Sequence, residues 1–222
     1  MTRTVGNSNA IALDTISLAI GIYGAYDILY SGRVLPDHLV DAGHWQFLTN
    51  LSLAYSLVVF ALGLVAHLTR SQYLFRLKNN LHPIALALEA VVAVVYWPLR
   101  LFFLKLLVKD PSKVLIPMLT DLSIHLMPVS SLLIDYLAFM PSWTITRSTA
   151  FGACGILSTG YWFWLHHLID FENGGEYPYA FLNHPSLYAR IVIFGIVGLT
   201  GFSSYLLMSN VYVWVVGKQR ED

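Results

Sequence analysis

Two side chains in this sequence have types and spacing suited to moving a proton: an imidazole at His125 in LTDLSIHLMPV and a carboxylate at Asp121, with a hydroxyl elsewhere at Thr49 in HWQFLTN. Histidine is the side chain whose ordinary titration range suits work as a base. Asp121 precedes His125 by four residues, which on a helix puts both on nearly one face. The carboxylate can then take up one ring nitrogen and leave the other free as a base. Each residue also has a plainer reading. A threonine about one turn into an apolar helix commonly bonds back to the carbonyl four residues earlier, here Trp45. A histidine within a membrane span can serve only to tie two helices together.

The elements that must position these groups follow from composition. The chain has 222 residues, 56% hydrophobic and 12% charged, and its mean hydropathy is +0.61. About a quarter of a soluble domain's residues are charged, so this chain has too little charge to cover a water-facing surface. Six stretches approach the roughly 20 apolar residues that cross a bilayer: residues 11–29, 47–68, 84–104, 114–139, 149–169 and 191–216. Lipid satisfies no backbone polar group, so these must be helices. The expectation is an all-α, six-transmembrane-helix bundle forming one integral membrane domain over residues 1–222, with short loops and both termini on the same side. The first span carries Asp14 and Asp27 and lacks a cleavage pattern, unlike a signal peptide. Trp45, Trp97, Trp143 and Trp214 are expected at the interfaces.

Thirteen basic and thirteen acidic residues cancel, and nothing suggests a nucleic-acid partner. Lys and Arg divide seven to six between the two sides of a six-span topology, which leaves orientation unassigned. Relative sidedness is still defined: Thr49 near the start of the second span and His125 in the fourth belong to one half of the bundle. The end of the fifth span, with His166 and His167, and the loop carrying Glu176, Tyr177 and His184 join that half.

Other ionisable residues fall inside spans, where each needs a partner or a task. Asp14, Asp27, His67 and Asp135 are expected close enough to span ends to reach headgroup water. Glu89 fits either a structural carboxylate or a proton relay. A carrier coupled to protons through Glu89, His125 and Asp135, and a non-catalytic membrane protein, are the competing functional readings. Cys154 is the single cysteine, so neither an internal disulfide nor a cysteine zinc site is expected. One HH pair with a distant His184 is too few imidazoles for a di-iron centre. No P-loop, G-x-G-x-x-G, G-x-S-x-G or HExxH occurs, and neither cofactor nor metal is expected.

Longer words carry a resemblance. HWQFLTNLSL at 44–53, LTDLSIHLMPVSSLLIDY at 119–136 and GYWFWLHHLIDFENGGEYPYAFLNH at 160–184, followed by ARIVIFG at 189–195, are similar to the motifs of the androgen-induced-protein (FAR-17a-type) family. These are multi-pass membrane threonine hydrolases acting on fatty-acid esters of hydroxy fatty acids. The resemblance implies Thr49 as nucleophile and His125 as general base, a lipid ester entering from the bilayer as substrate, and the endoplasmic reticulum as the membrane. Gln46, where the family often has a basic residue, and Asp121, where its animal members look amide-bearing, depart from the pattern. Asp121 or Asp135 would orient His125; Tyr161, Asn50, His166, His167 and His184 are candidate donors to the oxyanion.

Overall fold

The fold is given by a computed structural model, which describes residues 3–32, 35–108, 116–183 and 185–218. Among them all regular structure is helical: α1 Ser8–Tyr30, α2 Asp37–Val40, α3 Leu48–Thr69, α4 Gln72–Phe102, α5 Leu104–Leu107, α6 Met118–His125, α7 Met127–Ala138, α8 Arg147–Leu168 and α9 Leu187–Lys218, with 3₁₀ turns at His44–Gln46 and Ala180–Leu182.

Helix ends follow local chemistry. Asn7 caps α1 by accepting from the amides of Asn9 and Ala10 at 2.9 and 3.3 Å. Thr146 caps α8 through the amide of Thr149, as small oxygen-bearing side chains do at helix starts. α3 closes on Arg70 in the left-handed conformation (φ 52°), and Ser71 then caps α4, so the two helices form an antiparallel hairpin. Contacts of α1 with α3 (Ile28 packing with Leu53 at one end, the Asn7 amide on His67 at the other) make that pair antiparallel too. α6 and α7 lie against α1 and α4, and α8 pairs with α9.

Among the described residues four helices, α1, α3, α4 and α9, are both long and apolar enough to cross a membrane. The six expected spans differ from this in two places. The 114–139 stretch is not one helix: it breaks at Leu126 into segments of eight and twelve residues. Pro128 is the cause, because it supplies no amide to the preceding turn. In the broken turn the carbonyl of His125 accepts from the indole of Trp97 at 3.4 Å. α8 is 22 residues long but carries Arg147, Ser148 and Thr149 at one end and His166 and His167 at the other. Large apolar side chains such as Ile16, Ile156, Ile191 and Val213 are more than half exposed, the outward-facing surface that hydrocarbon covers in place of water.

The expectation that Asp14, His67 and Asp135 reach headgroup water is wrong: their residues are 0, 1 and 0% exposed. Lys78, also 0% exposed, pairs with Asp135 at 2.7 Å and with Asp14 at 3.2 Å, and His82 lies 3.3 Å from Asp135. Gly63 leaves the room for this cluster, since a Cβ there would run into Asp14 and Lys78. Asp27 is half-buried and accepts from Thr120 at 2.7 Å. Trp143 stacks on Tyr136 with centroids 3.9 Å apart.

Candidate functional site

Thr49 sits at the first turn of α3. Gly43, with φ 65°, turns the chain into the 3₁₀ segment that precedes it. The buried amide of Gln46 then staples the loop, donating to the carbonyls of Leu39 and Gly43 at 2.8 Å each, and Asn50 donates to the carbonyl of His44 at 2.7 Å. The phenol of Tyr179 accepts from the amide of Leu48 at 3.1 Å and lies within bonding reach of the Thr49 side chain. In the loop between α8 and α9, burial pushes this phenol up, so it stays an O–H donor. Trp45's carbonyl is occupied by the indole of Trp164 at 2.9 Å.

His125 is the last residue of α6. Its Nδ1 donates to Asp121 Oδ1 at 2.8 Å, the direction a carboxylate acceptor requires, so Nε2 is the basic nitrogen. The imidazole lies flat on Tyr96, with centroids 3.4 Å apart and planes 4° from parallel. Asp121 Oδ1 also accepts from the Tyr96 hydroxyl at 2.5 Å, and Oδ2 from Arg100 Nε at 3.4 Å. One carboxylate thus fixes His125 from below while two α4 side chains fix the carboxylate. Charge-assisted bonds of this kind are stronger than neutral ones.

Thr49 and His125, from different helices, line one cavity of about 300 Å³ with His44, Asn50, Tyr96, Arg100 and Tyr179. Leu35, Pro36 and Pro178 form its loop side; Ile28, Leu104, Leu107, Ile116 and Ile124 supply apolar wall. Both catalytic candidates are nearly closed to the outside, at 8 and 4% exposure. Thr49 and Asn50 bring the N-terminal end of α3 to this space, and a helix N-terminus favours negative charge. Burial lowers the affinity of the His44 imidazole for its proton.

Asp121, not Asp135, orients His125. Of the candidate oxyanion donors, Asn50 lines the cavity, whereas the Tyr161 hydroxyl donates to the carbonyl of Gln46 at 2.7 Å. His166 and His167 are exposed and line no wall of it; His166 bonds to the carbonyl of Trp162 at 2.9 Å. They belong to the outer surface of the same half, which relative sidedness could not separate from the site. His184 lies outside the described residues. Gln46 is a loop staple rather than a substrate contact. Sequence reasoning missed Arg100, Tyr179 and His44 as cavity residues. A signal existed for Arg100: it sits four residues beyond Tyr96, one turn of α4 further along the same face.

The chain matches the model of the FAR-17a/AIG1-like protein family over residues 14–213. It is 32% identical to the UPF0641 membrane protein YHR140W of Saccharomyces cerevisiae, covering 86% of this chain and 85% of that one. It is 28% identical to the UPF0641 membrane protein PJ4664.05 of Schizosaccharomyces pombe, with 94 and 92% covered. Identity to the human androgen-induced gene 1 protein is 25%, over 87% of each chain. No solved structure matches it. A match spanning Asp14 to Val213, with relatives aligned over most of their own length, makes this chain a membrane protein of the FAR-17a/AIG1-like family.

Proposed function

We propose that this protein is an intramembrane hydrolase of lipid esters, with fatty-acid esters of hydroxy fatty acids as the substrate class that the sequence resemblance implies. The observation carrying this reading is that Thr49 on α3 and an Asp121-held His125 on α6 line one cavity. His125 Nε2 takes the proton of Thr49 Oγ1 as that oxygen attacks the ester carbonyl. The imidazolium returns the proton to the departing alkoxide, releasing the hydroxy acid and leaving the acyl group on Thr49. Water, deprotonated by the same nitrogen, then attacks the acyl-threonine, and the fatty acid leaves as the hydroxyl is restored. General base assistance supplies about 10²- to 10⁴-fold. Donors to the oxyanion are commonly the larger contribution; Tyr179 and Asn50 line the cavity beside Thr49 and are the candidates for it. Arg100 neutralises Asp121, so the His–Asp pair adds little net charge to a low-dielectric wall.

In this reading α6–α7 forms one broken crossing and α8 another, giving six spans with both termini on one face. Contact of Arg3 with the Met140 carbonyl and the Tyr212 ring brings the start of the chain beside α9 near its end, in support of that arrangement. The endoplasmic reticulum membrane is the expected location on the strength of the resemblance. Glu89 and Asp135 do not line the cavity: Glu89 accepts from Ser56 at 2.8 Å and Asp135 pairs with Lys78. A carrier coupled through these residues and His125 therefore gains no support.

A fluorophosphonate probe on the membrane-embedded protein tests the hydrolase. Wild type should be labelled, Thr49→Ala should not be, and His125→Ala should be labelled at least about 10²-fold more slowly. Undiminished labelling of Thr49→Ala would transfer the nucleophile to another residue.

A further inference from the structure

The site cavity is not isolated. A second, narrower cavity of about 60 Å³ shares Thr49, Tyr96, Leu107 and Tyr179 with it and continues between α4 and α9. A third, also about 60 Å³, shares Leu48, Val91, Tyr161, Phe194 and Val197 with the second. It follows α8 from Tyr161 down to Ala150. Those eleven steps along the helix span about 16 Å at 1.5 Å per residue.

The walls of this last segment are built to be apolar and thin. α4 contributes Ile84, Ala87, Leu88 and Val91, α8 contributes Ala150, Ala153, Cys154 and Leu157, and α9 contributes Gly198 and Gly201. A Cβ on Gly201 would touch Cys154 and Val91 at 3.5 Å, ordinary contact, so a methyl group fits there and a larger side chain would block the passage. Small residues facing one another ordinarily let helices close up. Here α8 packs on α9 but scarcely meets α4, so a crevice persists. Thr49 stands in the wall common to the polar cavity and the narrow cavity that leads on to this crevice, where an ester carbonyl would lie with one hydrocarbon arm on each side.

We propose that the crevice between α4, α8 and α9 is the binding site for one long hydrocarbon chain of the lipid ester, with Gly201 and Leu157 setting how far that chain extends. The identity of the ligand rests on the ester-hydrolase reading; the existence of a chain site does not require cleavage. A saturated C16 fatty acid bearing a diazirine near its methyl end, added to the full-length protein in lipid nanodiscs, tests it. Photolabelling should map to residues 150–158 of α8 and 194–205 of α9 and be displaced by excess palmitate but not by hexanoate. It should persist in Thr49→Ala, so that loss of hydrolysis and loss of the chain site are separate results. Gly201→Leu should cut labelling at least fivefold, while Gly201→Ala retains it. Leu157→Trp, whose added bulk sits at the lipid-facing mouth rather than in the packed interior, should also cut it should Gly201→Leu misfold. Label on other helices, label indifferent to palmitate, absence of saturable label, or label unchanged in both blocking variants would each overturn the proposal.

Discussion

His125 and His82 both lie inside the bundle beside an aspartate, yet their surroundings differ in kind. His125 has one nitrogen tied to Asp121 and borders a cavity that also holds a hydroxyl, an arginine and a second imidazole. His82 is 0% exposed, packed beside the stacked rings of Tyr136 and Trp143, and its carboxylate neighbour Asp135 is already paired with Lys78. No hydroxyl nucleophile meets it among the described residues. The same two residue types thus make a candidate active site where space and a third group converge, and a sealed structural cluster where they do not. What separates them is room for a reacting molecule.

The sharpest way to break this contrast is at Lys78. Lys78→Met leaves Asp14 and Asp135 buried without their cation, and removing one member of a buried ion pair costs about 3–5 kcal/mol. Thermal unfolding in detergent should show a large drop or no folded protein. Adding Asp14→Asn and Asp135→Asn to Lys78→Met should recover most of the loss, because a neutral set no longer buries a bare charge. A Lys78→Met protein as stable as wild type would mean that the cluster is not structural.

A smaller effect is expected at the other region. Asp121→Asn keeps the shape but removes the carboxylate that fixes the His125 tautomer. Fluorophosphonate labelling should slow by about 10²-fold, the low end of what base assistance supplies, with the unfolding midpoint little changed. Equal losses of labelling and stability would erase the distinction between the two regions.

The smallest effect concerns pH. Burial holds the His44 imidazole below its ordinary value of 6.5, so the unfolded chain takes up this proton first as the pH falls. Stability from this group is present above about pH 6.5 and declines as acidification passes through that range. His44→Gln should have a flatter dependence of unfolding midpoint on pH between about pH 8 and about pH 5. Identical slopes in variant and wild type would remove His44 from the account.

The helical architecture and its membrane setting were legible because they depend on quantities local to the chain: long apolar runs, few charges and the absence of any water-soluble surface. The pairing of Asp121 with His125 was legible for the same reason, since four residues along a helix is a fixed geometry.

Interior polar residues were a different matter. Asp14 and Asp135 were assigned to headgroup water because a lone carboxylate in hydrocarbon is costly; their shared cation lies on another helix, 64 residues from one and 57 from the other by sequence number. Nothing local encodes such a partnership. Nor could residue order tell that His166 and His167 would turn outward from the half of the bundle they share with Thr49.

By itself the sequence determined a helical membrane chain and one acid–imidazole pair, because hydropathy and helical pitch act over a few residues. Only the tertiary structure decided that Thr49 joins that pair at a common cavity, and that Lys78 closes a second cluster elsewhere. Each depends on how separate helices rotate and pack, and that angle is set by the whole interior at once.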